Sequence, residues 1–265
     1  MIRLIVSDID GTLIQDSTPD LYPEMVETIK KLKDKGILFC AASGRQYASI
    51  KNVFRDVSED IAYIAENGAH IRYKHENISV TPMRKEHIEG IMKMLRPYYG
   101  ECEVYVSTPM GGLIESKNKD FIDLITNGYH NSFRWVEDVL VEKEEIIKIA
   151  VYRKESVRHL GESIFIPSWE KQVKACMAGD EWVDFMDLSV DKGNGLKLLA
   201  KYLGIKKEEI MAFGDNDNDI GMMLTAGESY AVDTATQAVK EAAGKICPGW
   251  REKGVYQMIN AKIFS

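Results

Sequence analysis

Apolar segments of strand length recur along this 265-residue chain, and each of them ends in polar residues. The spacing of apolar residues between them predicts amphipathic helices that alternate with the strands. The predicted strands are 3–6, 37–42, 61–65, 210–213 and 230–232, and the predicted helices are 23–35, 47–54, a segment that begins just after Lys192, and 235–243. Strands that alternate with helices form a parallel sheet with helices on both of its faces. The sequence therefore predicts an α/β fold with a doubly wound parallel sheet.

The alternation breaks down between about Met83 and Met186. Short strand segments are grouped there with helical segments, a pattern typical of a separate α+β module. The predicted helices of this region are 86–95, 120–125 and 156–164, and its predicted strands are 104–106, 112–115, 146–152, 171–178 and 182–186. We therefore predict a first domain in two pieces, 1–82 and 187–265, with a second domain, 83–186, inserted between them.

Polar side chains stand at the carboxyl end of each predicted strand of the first domain. They are Asp8 and Asp10, Ser43, Asn67, Asp215 and Asp233. Ligands of parallel α/β sheets bind outside the carboxyl ends of the strands. One such residue alone is ordinary loop chemistry, but five polar strand ends on one edge of a sheet indicate a binding site.

Asp8 and Asp10 lie only two positions apart at the end of the first strand. Two carboxylates about 4 Å apart repel each other by about 4 kcal/mol at an effective dielectric constant of about 20. A strand end that holds both charges needs a cation, or a proton on one of the two groups. The alternative is a solvated turn before Gly11, which would need neither.

The composition excludes several classes of function. A net charge of −7 argues against a broad nucleic-acid surface, which requires clustered Lys and Arg. No apolar run approaches membrane-spanning length, and the N-terminus lacks the pattern of a signal peptide. The four cysteines form no CxxC pair, which favours reduced thiols. We therefore expect a cytoplasmic protein with neither a nucleic-acid nor a membrane partner, and nothing in the sequence indicates its oligomeric state.

Four motifs follow one another along the chain. DIDGTL begins at Asp8, SGR begins at Ser43, Lys192-Gly193 begins a helix, and GDNDND begins at Gly214. This ordered set resembles the haloacid dehalogenase-like superfamily of phosphotransferases, and it is most similar to subclass IIB, the Cof-like phosphatases. Members of that subclass carry an α+β cap between the second and third motifs. The resemblance covers the whole chain, and it implies a Rossmann-like core with residues 83–186 as the inserted cap.

The resemblance also implies a reaction and a cofactor. It implies an Mg²⁺-dependent phosphatase that acts on small phosphorylated metabolites, chiefly sugar phosphates. Asp8 would be the nucleophile that forms an aspartyl-phosphate, and Asp10 the general acid and base. The Asp8 side chain, the Asp10 backbone carbonyl and the Asp215 side chain would hold Mg²⁺. Asp219 would orient these ligands or their waters without binding the ion itself.

Further residues match positions of the family that bind phosphate or shape its site. The phosphate-binding residues implied in this way are Ser43, Gly44, Lys192 and Asn218. Lys192 would add a full positive charge to the partial charge of its helix N-terminus. Asn67 matches the NGA turn of the family, whereas Asp233 stands where Cof-like proteins commonly carry Asn. Polar or aromatic cap residues would contact the non-reacting part of the substrate, and the candidates are Tyr105, Trp169 and Lys171.

Three alternatives stay open at this stage, and a fourth is discounted. A hexose-phosphate mutase of the same fold would use Asp8 and Asp10 but return the phosphoryl group to the sugar. A sucrose- or trehalose-phosphate phosphatase would differ only in its cap contacts. A non-catalytic signalling module similar to a response-regulator receiver would also phosphorylate an Asp, although it needs neither Asp10 nor a cap. A calcium loop is disfavoured, because Ala226 stands where its glutamate is expected.

Overall fold

The computed structural model of the chain describes residues 1–15 and 20–264. The chain divides into two compact units, Met1–Ser79 with Asp191–Ser265, and Val80–Val190. The sequence prediction places the two joints after residues 82 and 186. No helix within the described residues is long and apolar enough to span a bilayer.

The strands among these residues are, in chain order, β1 (Leu4–Asp8), β2 (Leu38–Ala42), β3 (Ala62–Ala65), β4 (His70–Tyr73), β5 (Glu76–Val80), β6 (Glu103–Thr108), β7 (Gly111–Ile114), β8 (Phe133–Trp135), β9 (Lys148–Tyr152), β10 (Lys174–Met177), β11 (Trp182–Met186), β12 (Ile210–Gly214), β13 (Glu228–Val232) and β14 (Lys245–Cys247). The α-helices are α1 (Pro23–Asp34), α2 (Tyr47–Val53), α3 (Lys85–Leu95), α4 (Lys119–Asp123), α5 (Arg158–Leu160), α6 (Ile166–Trp169), α7 (Lys192–Leu203), α8 (Ile220–Thr225), α9 (Gln237–Ala242) and α10 (Gly254–Ile259). Short 3₁₀ and π turns extend or join several of them.

The first unit is built on an eight-stranded sheet in the order β14–β13–β12–β1–β2–β3–β4–β5. Neighbouring strands from β14 to β3 are parallel, and β4 runs antiparallel to β3. Val6 of β1 lies opposite Ala212 of β12 on one side and Cys40 of β2 on the other. The predicted parallel α/β sheet is confirmed, and its central strand is the one that ends in Asp8.

Burial explains why β1 takes this central position. Every residue of the strand is buried, and its apolar run Leu4-Ile5-Val6 is fully covered, as expected for a parallel strand with helices on both faces. Burying side chains of this size stabilises the fold by about 1.5–3 kcal/mol each. The strand end is thereby held firmly, so the side chains that follow it project from a rigid edge.

Helix α1 forms where the pattern predicts it. Pro23 occupies the first turn, where its missing N–H costs nothing, and Met25, Ile29 and Leu32 share the buried face. Gly36, with φ of 72°, takes the left-handed conformation just after the helix. The helix delivers the chain to β2, which carries the second motif at its end.

The second unit has a six-stranded sheet of its own in the order β10–β11–β9–β6–β7–β8. Its strands pair antiparallel except for β7 with β8. Alternate residues of β6 belong to different hydrophobic clusters, with Val104 and Val106 in one and Tyr105 in the other. The predicted strand over 171–178 is wrong in its first part, because α6 continues to Trp169 and β10 begins only at Lys174.

Candidate active site

Three carboxylates meet at the carboxyl edge of the first unit's sheet. Asp8 ends β1, Asp215 directly follows β12, and Asp219 lies one turn further along the chain. One oxygen from each lies within 4.8 Å of the others. Asp8 is 5% exposed, Asp219 is 0% exposed, and Asp215 is half-buried. Carboxylates this close and this buried need positive charge between them.

Lys192 supplies part of that charge. Its Nζ donates hydrogen bonds to Asp8 Oδ1 at 2.5 Å and to Asp219 Oδ1 at 2.7 Å, and the residue is 1% exposed. Asp191, the N-cap of α7, accepts a hydrogen bond from the backbone N–H of Asn194 at 3.1 Å. Three ionised carboxylates and one ammonium leave a net charge of −2, which matches a divalent cation.

The pKa values of these groups reflect the same crowding. Burial raises the pKa of Asp8 well above its ordinary 3.8, and repulsion from Asp219 and Asp215 adds to it, whereas Lys192 opposes it. Burial also raises the pKa of Asp215, again with repulsion from Asp219. Burial alone would lower the pKa of Lys192, but Asp219 and Asp8 outweigh it and raise that pKa. The ammonium is therefore charged, and the carboxylates favour a further cation.

Asp219 accepts three hydrogen bonds from the protein. Its Oδ1 is bound by Lys192, and its Oδ2 accepts from the backbone N–H groups of Asp215 at 2.9 Å and Asn216 at 3.1 Å. The carboxylate therefore shapes the loop that follows β12. A Cβ on Gly214 would lie 2.6 Å from Asp219 Cβ, so this close approach requires glycine there.

Asp215 is oriented from the β1 loop. Thr12 Oγ1 donates to Asp215 Oδ1 at 2.9 Å. Gly11 has φ of 80°, and a Cβ there would lie 2.5 Å from Asp215 Oδ2. The Gly-Thr pair of the first motif thus allows the Asp215 carboxylate to pack against the β1 loop and fixes its direction.

The Asp10 side chain has a different partner. Arg45 Nε donates to Asp10 Oδ2 at 2.8 Å, and a second guanidinium nitrogen of Arg45 donates to Asp10 Oδ1. A bidentate Arg–carboxylate pair fixes the orientation of both groups. Sequence reasoning did not identify Arg45 as a functional residue, and the only signal was its place as the third residue of the SGR motif.

The loop after β2 lies beside Asp8, because Asp8 is in register with Ala42. Ser43 is buried, and its Oγ accepts a hydrogen bond from the Arg45 N–H at 3.1 Å. Gly44 packs against the side chain of Asn67. The structure thus brings Ser43 and Gly44 to the strand end next to the predicted nucleophile.

The remaining predicted residues of the first unit, Asn218 and Asp233, lie on different loops. Asn218 lies on the loop after β12, and its Nδ2 donates to Asn67 Oδ1 at 2.9 Å. Asp233 is exposed at the end of β13 and does not belong to the group of three carboxylates. In the loop that follows Asp233, the Thr236 N–H donates to the Asp215 carbonyl at 2.9 Å.

Two of the three candidate substrate-reading residues pack inside the second unit. Tyr105 is 3% exposed, and its hydroxyl donates to the Ser132 carbonyl at 2.9 Å. Trp169 is half-buried against Gly90 and the ring of His87. Lys171 is exposed. Tyr105 and Trp169 therefore contribute to the core of the second unit.

The sheet is mostly parallel, and its central strand ends in an aspartate. A lysine links this aspartate to a second acidic loop. These features are typical of hydrolases of the haloacid dehalogenase-like class. The family model described as haloacid dehalogenase-like hydrolase matches residues 5–259. The chain belongs to this family, and the Cof-like resemblance is confirmed.

Curated relatives of the chain include named phosphatases. The 5-amino-6-(5-phospho-D-ribitylamino)uracil phosphatase YbjI of Escherichia coli is 26% identical over 269 residues, covering 98% of this chain and 95% of its own length. The phosphoglycolate phosphatase of Methanospirillum hungatei is 25% identical over 240 residues, covering 91% of this chain and 88% of its own. The chain is accordingly a phosphatase, which rules out the non-catalytic signalling module.

Solved structures share the fold. A crystal structure of a Eubacterium rectale protein has a TM-score of 0.88 and 34% sequence identity, and the match covers 98% of each chain. A sugar phosphatase of subclass IIB has a TM-score of 0.81 with coverage of 98% of each chain. At 22% identity, this second likeness speaks for the fold alone.

Proposed function

We propose that this protein is an Mg²⁺-dependent phosphatase that hydrolyses sugar phosphates and related small phosphate monoesters through an aspartyl-phosphate on Asp8. The observation that carries the proposal is the buried contact of Lys192 with Asp8 and Asp219, with the Asp215 carboxylate beside them. A nucleophile, a fixed positive charge and a group of cation ligands thus lie at one strand end.

The donor set fits Mg²⁺. All the candidate ligands are oxygens, which this hard cation prefers, and the net charge of the group suits a divalent ion. Because Asp219 is already bonded to Lys192 and to the loop after β12, we assign the ion to the side chains of Asp8 and Asp215 and the backbone carbonyl of Asp10. A cation bound there would neutralise charge on the transferring phosphoryl group.

The residues divide the reaction into two steps. In the first, a carboxylate oxygen of Asp8 attacks phosphorus and the bond from phosphorus to the ester oxygen breaks. Asp10, which must part from Arg45 and carry a proton at this point, gives that proton to the departing alkoxide. In the second, Asp10 takes a proton from water, which attacks the phosphoryl group and releases phosphate and free Asp8. Lys192 and the Ser43 hydroxyl would hold the phosphoryl oxygens during both steps.

The substrate class is supported by the relatives. One is named for a phosphorylated ribityl chain and another for phosphoglycolate, and both of those substrates are phosphate monoesters of small hydroxylated molecules. We assign the same class to this chain, with sugar and sugar-alcohol phosphates as the preferred members. We also propose that the second unit, residues 83–186 by the sequence boundaries, is the cap that selects among them.

A panel of phosphate esters tests this function. Phosphate release would be measured with Mg²⁺ from glucose 6-phosphate, ribose 5-phosphate, 5-amino-6-(5-phospho-D-ribitylamino)uracil, phosphoglycolate and p-nitrophenyl phosphate, with Asp8→Asn as the inactive control. We expect phosphate release with a preference for the sugar and sugar-alcohol esters. Accumulation of an isomeric hexose phosphate without free phosphate would instead favour the mutase.

A further inference from the structure

The chain leaves β3 through three successive residues with positive φ. Glu66, Asn67 and Gly68 have φ of 50°, 55° and 101°, and together they form what we call the β3 turn. Glycine adopts this left-handed region freely and asparagine tolerates it, whereas glutamate disfavours it. Such strain persists only where the surrounding structure holds it, and it is concentrated at functional sites. The contacts that hold the β3 turn therefore indicate what this turn does at the carboxyl edge of the sheet.

The backbone of the β3 turn is bonded to the loop after β2. The N–H of Glu66 donates to the Arg45 carbonyl at 3.0 Å, and the N–H of Asn67 donates to the Ser43 carbonyl at 3.0 Å. These two hydrogen bonds lie on either side of Gly44. The turn therefore fixes the backbone of the predicted phosphate-binding loop.

The side chain of Asn67 joins this loop to a second one. Its Oδ1 accepts a hydrogen bond from Asn218 Nδ2 at 2.9 Å. The same amide group packs on Gly44, where an added Cβ would lie 3.2 Å from Asn67 Nδ2. Because β2 and β12 flank β1, this single amide connects the loops on both sides of the strand that ends in Asp8.

Gly68 extends the same arrangement to α7. A Cβ on Gly68 would lie 2.4 Å from the Asp191 carbonyl and 3.4 Å from the Lys192 backbone nitrogen. The β3 turn thus packs directly against the start of the helix that carries Lys192. Three segments carry the predicted phosphate ligands, namely the loop after β2, the loop after β12 and the start of α7. Each of them contacts the β3 turn.

We propose that Asn67 is a positioning residue, which holds the Ser43–Gly44 loop and Asn218 in the arrangement that receives the phosphoryl group; this inference rests on the proposed function. Two demands select asparagine. The left-handed backbone restricts the position to residues such as Gly, Asn and Asp. The side chain must also accept a hydrogen bond from Asn218 while remaining neutral near a bound anion. Glycine meets only the first demand, and aspartate adds a negative charge.

The substitution Asn67→Gly separates positioning from folding. It keeps the backbone conformation and removes the amide; relief of the left-handed backbone offsets part of the lost hydrogen bond, so the thermal midpoint should stay close to that of the control variant below. We expect kcat/KM for p-nitrophenyl phosphate and the affinity for inorganic phosphate, measured by calorimetry with Mg²⁺, each to fall about 10- to 100-fold. The matched control is Lys74→Gly, which replaces another left-handed residue (φ 48°) on an exposed turn and should keep wild-type values.

Two further variants sharpen the test. Asn67→Asp keeps the acceptor for Asn218 but places a charge near the anion, so it should raise KM and the Kd for phosphate more than it lowers kcat. The double variant Asn67→Gly/Asn218→Ala should lose less than the product of the two single losses, because the two changes share the contact between these side chains.

Two results would overturn the inference. The first is a kcat/KM and a phosphate affinity of Asn67→Gly equal to those of the wild type. The second is a loss of activity in Asn67→Gly together with a thermal midpoint well below that of Lys74→Gly, because the loss would then come from unfolding. A wild-type protein that releases no phosphate from any ester would instead contradict the proposed function, and phosphate binding by calorimetry would still test Asn67.

Discussion

Lys192 is the residue on which the charge balance of the site depends. Its ammonium contacts Asp8 and Asp219 at once, and all three side chains are almost fully buried. Burial works against its charge, but the two carboxylates outweigh that effect and raise its pKa. The site therefore keeps a permanent positive charge next to Asp8, the proposed nucleophile.

Removing that charge should damage both stability and activity. Lys192→Met leaves Asp8 and Asp219 buried without their shared partner, and breaking a buried ion pair in this way costs about 3–5 kcal/mol. We expect a fall of that size in the free energy of unfolding, measured with urea near neutral pH, and no detectable phosphate release. Lys197→Met, on the exposed part of α7, is the control and should leave both the free energy of unfolding and phosphate release unchanged. A stability equal to the wild type would show that Lys192 does not balance these carboxylates.

His70 gives the fold a pH dependence that is separate from catalysis. Burial lowers the pKa of this imidazole and the Arg72 charge acts in the same direction, whereas the hydrogen bond to Asn77 and the charge of Glu66 oppose them. The unfolded chain takes up a proton near the ordinary pKa of 6.5, and the folded chain does so only at lower pH. Because the unfolded state then binds more protons, stability should fall as the pH drops through 6.5.

Urea unfolding at about pH 7.5 and about pH 5.5 would measure this effect. We expect His70→Gln to lose less stability between the two pH values than the wild type does. His159→Gln, an exposed control, should behave like the wild type. Equal losses in the wild type and His70→Gln would show that another group governs this range.

The sequence allowed the candidate site residues to be predicted more fully than the contacts between them. The motifs predicted that Asp8, Lys192, Asp215 and Asp219 lie at one edge of the sheet, and these four residues do lie together there. The bidentate contact of Arg45 with Asp10 joins residues 35 positions apart, and the bond between Asn218 and Asn67 joins residues 151 apart. Such pairs depend on how the loops lie after folding, so no local pattern in a single sequence reports them.

Among the elements, α7 and α8 approach each other unusually closely at a glycine. A Cβ on Gly193 would lie 2.3 Å from both the carbonyl carbon and oxygen of Gly221, far inside a normal contact. Gly193 directly follows Lys192, so any shift of the helix start would move the ammonium. The glycine of the third motif therefore serves helix packing as well as the site.

Gly193→Ala should force the two helices apart. Overpacking of this kind costs about 1–3 kcal/mol, and we expect the free energy of unfolding to fall by that amount. We also expect kcat/KM for p-nitrophenyl phosphate to fall, because Lys192 moves with the helix. Lys201→Ala, on the exposed face of α7, serves as the control. Unchanged stability and activity in Gly193→Ala would mean that the interface yields without moving Lys192.

Element prediction succeeded where apolar residues had a clear period. The central strands β1, β3 and β12 are buried throughout and β2 is buried except at its first residue, and α1 has a single apolar face. The strands β4, β5 and β14 were not predicted, because they are short, mix polar with apolar residues and lie toward the sheet edges. Pairing with a neighbouring strand stabilises such segments, so they cannot be recognised from their own residues.

For the molecule as a whole, the proposed Mg²⁺ ion would link stability to activity. A ligand that binds only the folded state adds about 2.7 kcal/mol of stability at about 100 times its Kd. We expect chelation to abolish phosphate release and lower the thermal midpoint, and Mg²⁺ to restore both. Asp215→Asn should lose the response to Mg²⁺ in both measurements, and Asp233→Asn, at a neighbouring strand end, should retain it. Full activity in a metal-free preparation would contradict the metal assignment.

The most direct test of covalent catalysis by Asp8 is the pre-steady-state reaction of Asp10→Asn with p-nitrophenyl phosphate. Nitrophenolate leaves without a proton, so Asp8 should still be phosphorylated, but the second step lacks its base. We predict a burst of nitrophenolate equal to the enzyme concentration, then slow turnover, with the phosphoryl group found on Asp8 by peptide mass spectrometry. Asp8→Asn should give no burst. Equal loss of burst and steady state in Asp10→Asn, or a phosphoryl group on another residue, would contradict the assignment of these two aspartates.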